Sequence, residues 1–114
     1  MTARRILHCL RAPVGGLFRH VRDLAKEQSR QGYDVAVLCD NKAKDSLTES
    51  RLAELDAIVS LGVHRTPMAR GIGPSDFSAF RAARELIQAM QIDVAHGHGA
   101  KGGAYARLSA RSVR

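Results

Sequence analysis

Residues 12–20, Ala12-Pro13-Val14-Gly15-Gly16-Leu17-Phe18-Arg19-His20, decide how this chain is read. They follow a short apolar run, Ile6-Leu7-His8-Cys9-Leu10, and open a helical pattern lasting to about Gln31. A strand, a glycine turn and a helix start make one unit of an α/β sheet. Two glycines let a ligand approach the backbone, and the helix start offers unpaired N–H groups to an anion. Gly15 and Gly16 are therefore candidate contacts for the phosphates of a nucleotide or sugar phosphate. A tight strand-to-helix turn with no ligand satisfies the same pattern.

Outward from that turn, the chain alternates. Residues 5–10 read as a first strand, buried on both faces. The helix after Gly16 turns Leu17, Phe18, Val21, Leu24, Ala25 and Gln28 inward and Arg19, Arg22, Asp23, Lys26 and Glu27 outward. Gly32 suits a left-handed cap. Asp34–Asp40 is a second strand, its Asp40 either a ribose-binding acid or a simple turn acid. Ser46-Leu47-Thr48-Glu49 has capping-box spacing for a helix through Leu52 and Leu55, and Ala57–Leu61 reads as a third strand. A loop over residues 62–74 leads to Ser75, which can cap a helix burying Phe77, Phe80, Ala83, Ile87 and Met90. Residues Ile92–His96 form a fourth strand. It delivers Gly97-His98-Gly99-Ala100-Lys101-Gly102-Gly103 into a last helix.

Strand–helix repeated four times predicts an α/β fold: a Rossmann-like, doubly wound parallel sheet of about four strands in order 3-2-1-4 with flanking helices. Ligands bind such sheets at the carboxyl ends of the strands, near the switch in strand order. The turns after strands one and four would flank one crevice there.

Composition narrows the function classes. With 114 residues the chain is one domain at most, and 45% hydrophobic with 25% charged residues is ordinary for a globular protein. No apolar run approaches the roughly 20 residues of a membrane span. Cys9 and Cys39 fall in expected buried strands, which favours free thiols and a cytoplasmic setting. The net charge of +7 favours acidic partners, but the basic residues are scattered and aromatics are 4%, too few for a base-stacking platform. A nucleic-acid partner would rest on charge alone, and none is expected.

Residues 97–102 spell G-x-G-x-x-G, but the dinucleotide fingerprint belongs after the first strand, with an acidic residue about 20 positions later. An NAD site is rejected, and Lys101 lacks P-loop spacing. His96 and His98 are expected on opposite faces, with no convincing third ligand nearby, so no metal is expected. His98 reads equally as a structural hydrogen-bonder or a catalytic group.

Arg5-Ile6-Leu7-His8-Cys9-Leu10, with the Pro13-Val14-Gly15-Gly16 turn, resembles the opening of retaining glycosyltransferases of the glycogen-synthase-like group, family 4. Asp93-Val94-Ala95-His96-Gly97-His98-Gly99 resembles the same group's Asp-Val-Val-His-x-His segment. The resemblance implies half of a GT-B architecture, in which two Rossmann-like domains face across a cleft. Residues 1–114 would be the amino-terminal, acceptor-binding domain, cut short, with the carboxyl-terminal donor-binding domain absent. It implies a nucleotide-sugar donor as substrate, a glycan or lipid-linked acceptor, and no cofactor or metal. Gly15 and Gly16 would touch the donor's phosphates or the transferred sugar. His98 would face that sugar, orienting a hydroxyl or helping to stabilise developing positive charge. Arg19, His20, Lys101 and Gly102 are weaker candidates for acceptor or phosphate contact. Such enzymes imply work in cell-surface polysaccharide synthesis, with the protein peripheral at the inner face of the cell membrane. A non-catalytic nucleotide- or anion-binding module is the alternative. An open edge at strand four is expected to favour self-association.

Overall fold

The computed structural model describes residues 4–13, 15–42, 45–68, 73–99, 101, 103–105 and 107. Strands and helices alternate: β1 (Arg5–Cys9), α1 (Gly15–Arg30), β2 (Asp34–Asp40), α2 (Ser46–Ile58), β3 (Gly62–Thr66), α3 (Ser75–Ala89) and β4 (Val94–Gly97). The four strands form one parallel sheet in the order β3-β2-β1-β4. Order and direction are those expected from the alternation.

The side chains of β2 divide by strand period between two apolar layers. Val35, Val37 and Cys39 pack with Phe18, Val21 and Ala25 of α1 and Leu52 and Leu55 of α2. Ala36 and Leu38 face the other way, with Leu7 and Cys9 of β1, Ala79, Ala83 and Ile87 of α3, and Tyr105. Each face of the central strands is thus covered, which is why β1 and β2 are apolar almost throughout. Both cysteines are buried and free, and burial pushes each thiol up to about 12, so neither ionises near neutrality.

Several expected boundaries move. The third strand is Gly62–Thr66, not Ala57–Leu61, because α2 runs on to Ile58. As an edge strand, β3 is only half-buried and tolerates His64 and Arg65, so it carries little apolar signal. The N-cap of α2 is Asp45, one residue before Ser46, and its carboxylate accepts from the Thr48 N–H. Ser75 begins α3, leaving the cap position to Pro74. The buried stripe of α3 runs through Ala79, Ala83 and Ile87, while Phe77 is 81% exposed. Six residues at 100° each put Phe77 about 120° away from Ala83 around the helix.

Candidate functional site

Parallel pairing brings the ends of β1 and β4 side by side. His8 pairs with His96 in register, and just beyond β4 the His98 N–H donates to the Cys9 carbonyl at 2.8 Å. This bond carries the strand pairing one step further and holds His98 over His8. Gly99 has φ +76, a left-handed conformation that favours glycine, and residues 99, 101, 103–105 and 107 are helical.

Four imidazoles gather there. His8 and His98 have ring centroids 5.1 Å apart, His96 stacks on His98 at 4.1 Å, and His20 of α1 meets His98 edge-on at 5.9 Å. His96 and His98 thus lie on one side, contrary to the expectation that they diverge. Residues two apart on an extended chain share a face, and the His98 N–H continues the β1–β4 ladder one residue past β4. The residue that joins them, His8, was legible only as part of an apolar strand. Its signal is a polar side chain amid a run otherwise suited to full burial.

Inside the cluster, His8 Nδ1 and His98 Nε2 are 2.9 Å apart, and His8 Nε2 is 2.7 Å from Gln28 Oε1. His8 is wholly buried and His98 is 6% exposed. Burial, and then the neighbouring His96, His8 and His20, push the His98 imidazole down to about 4. Burial lowers His8 as well, against the hydrogen bond to Gln28. Both rings are therefore neutral at pH 7.

His8, His96 and His98 each offer a nitrogen within 4.8 Å of the others. A tetrahedral metal with bonds near 2.1 Å needs ligands about 3.4 Å apart. His8 Nδ1 and His98 Nε2, at 2.9 Å, already share a proton that lies in a lone-pair direction a cation would need, so metal binding there would replace this hydrogen bond. The arrangement as it stands is a hydrogen-bonded cluster.

The glycine turn lies against it. Gly15 opens α1 with φ +75, and a Cβ on Gly15 or Gly16 would meet nothing within 4 Å. It is Gly15, not Gly16, whose φ needs glycine. A Cβ on Gly99 would stand 3.4 Å from Leu17 Cδ2, so the turn after β4 lies against the Leu17 side chain of the first turn of α1. Arg19 and His20 are exposed on the first turns of α1. Lys101 is bonded to the Asp76 carboxylate, which also accepts from the Tyr105 hydroxyl and the Gly73 N–H. Gly102 lies outside the described residues. Asp40 is buried and accepts from the Met68 N–H at 2.9 Å, so it fastens the chain after β3. His98 is buried, its ring bonded to His8 and its backbone N–H to Cys9, which fits the hydrogen-bonding reading of this residue and leaves the catalytic one open.

A family model described as Glycosyltransferase Family 4 matches residues 14–114. No curated protein matches the sequence. Among solved structures, a glycosyltransferase from Rickettsia africae ESF-5 superposes with a TM-score of 0.70 at 16% identity, covering 100% of this chain and 28% of its own. MurG of Acinetobacter baumannii superposes with a TM-score of 0.67 at 18% identity, covering 92% of this chain and 32% of its own. The chain thus spans less than a third of either relative's length.

Proposed function

Because the chain belongs to glycosyltransferase family 4, we propose that it is the amino-terminal, acceptor-side domain of a retaining glycosyltransferase. The enzyme would move a sugar from a nucleotide-sugar donor to a glycan or lipid-linked acceptor in cell-surface polysaccharide synthesis. One observation carries this reading. The Gly15-Gly16 turn, with open space beside it, and the buried His98 both follow the carboxyl ends of neighbouring parallel strands, with His20 of α1 5.9 Å from the His98 ring. There the N–H groups of α1 suit a donor's phosphates and His98 suits a sugar hydroxyl. No step of this reading calls on a metal ion.

The test measures transfer from a panel of nucleotide sugars by a polypeptide that joins this chain to a nucleotide-sugar-binding domain. His98→Ala should lower kcat on the order of a hundredfold. Removing the ring leaves the buried His8 Nδ1 without its partner, so melting is followed alongside. Donor binding without transfer in the unsubstituted protein would favour a non-catalytic nucleotide-binding module.

A further inference from the structure

We propose that Gln28 and His8 form a hydrogen-bond relay that sets which ring nitrogen of His98 carries the proton, so that His98 meets its ligand as an acceptor. The inference rests on the transferase reading only for the identity of that ligand, a sugar hydroxyl.

The relay follows from counting donors. Gln28 Oε1 can only accept, so His8 Nε2, 2.7 Å away, carries a proton and donates it. A neutral imidazole has one N–H, so His8 Nδ1 is left as a lone pair. It lies 2.9 Å from His98 Nε2, which must then donate. His98 in turn keeps its proton on Nε2 and presents Nδ1 as an acceptor. A hydroxyl can donate or accept, and this tautomer requires it to donate.

Two features argue that the arrangement positions His98 rather than merely filling space. His8 sits wholly buried between Leu7 and Cys9, where an apolar residue would add to the core and desolvate nothing polar. Both of its ring nitrogens are nonetheless bonded, one to a helix and one to the loop beyond β4. The relay also crosses three elements: Gln28 on α1, His8 on β1, and His98 after β4. Helix α1 therefore starts at the glycine turn and, near its other end, fixes the tautomer of the histidine facing the same edge. His20 and His96 also face His98, and both are bases. A proton gained by either would repel one on His98 and reinforce its neutral form.

Gln28 and His8 are positioning residues in this scheme, and the test reads the tautomer directly. In the 15N-histidine-labelled chain at pH 7.5, long-range 1H–15N spectra should show His98 with a protonated Nε2 and a bare Nδ1. Gln28→Leu should remove that preference and give exchange-averaged rings. Gln28→Glu should keep it, since a carboxylate also only accepts. Kinetically, Gln28→Leu should lower kcat on the order of tenfold in the two-domain protein, with rescue by Gln28→Glu. His8→Asn, whose amide oxygen can stand in for Nδ1, is a second variant with less change in α1. A protonated Nδ1 on His98, or a tautomer indifferent to Gln28→Leu, overturns the relay. The stated tautomer without any sugar transfer keeps the relay and strikes the transferase reading instead.

Discussion

His8 and His98, separated by 90 positions in the chain, are joined ring to ring, with Nδ1 and Nε2 2.9 Å apart. The bond exists because β1 lies between β2 and β4, so the fourth strand to be made lands beside the first. It couples a core strand to the loop that carries the candidate sugar-facing residue. Its consequences are measurable.

Stability should fall on mild acidification. An unfolded imidazole titrates near 6.5, whereas His98 in the fold is held at about 4 and His8 is also lowered. Between those values the unfolded chain binds more protons, so stability drops as pH falls from about 6.5 toward 4. Each such ring contributes at most about 1.4 kcal/mol per pH unit. Urea unfolding at pH 7.5, 6.0 and 5.0 checks this, with His8→Asn and His98→Asn flattening the profile. A stability independent of pH across that window would contradict the buried, neutral cluster.

The two glycines should separate into different effects. Gly15→Ala forces an L side chain into φ +75 and should cost about 1–2 kcal/mol in thermal or urea unfolding. Gly16→Ala meets open space, with no left-handed backbone to strain, and should be neutral or slightly stabilising. Gly16→Val should leave folding nearly intact yet weaken donor binding, which titration with a nucleotide sugar would detect.

Asp76 should hold the last helix in place. Its bond to Lys101, then those to Tyr105 and the Gly73 N–H, hold the carboxyl down to about 2. That stabilisation is complete above about pH 4 and is lost as pH falls toward 2. Asp76→Asn should speed amide exchange around residues 103–105 at pH 7 while leaving β1 and β2 protected. Uniform loss of protection across the sheet would point to a role in the whole fold instead.

Among the described residues β4 is an edge strand, and that edge should make the chain associate. Strand β4 closes one side of the sheet with Val94 43% exposed. Light scattering at rising concentration should show dimers that Val94→Lys suppresses. A monomer at every concentration would rule out pairing through this edge.

The basic surface should favour anionic lipid. With a net charge of +7, the chain should adsorb weakly to vesicles containing phosphatidylserine and leave them as salt is raised. No helix among the described residues is long and apolar enough to cross a bilayer. Equal binding to neutral vesicles at high salt would contradict an electrostatic origin.

Local pattern was enough for the architecture. The apolar runs at 6–10 and 34–40, each followed by helical spacing, announce parallel strands buried on both faces, and Gly15-Gly16 marks the turn between strand and helix. Strand β3 escaped that logic because an edge strand shows one ladder to solvent and can spend its positions on His64 and Arg65. Phe77 misled because an aromatic at nearly the right spacing still points away from the sheet once the helix phase is fixed by Ala79 and Ala83.

The site divides in the same way. Periodicity and turn chemistry put Gly15, Gly16 and His98 at one edge, since each follows a strand of known direction. Which residues touch depends on packing between segments far apart in sequence, and composition carries no record of it. Only the fold could place His8 against His98 and Gln28, pair Lys101 with Asp76, and commit Asp40 to the Met68 backbone. Hydrogen-bond partners are set by distances of about 3 Å, and a chain acquires those distances only when its strands come together.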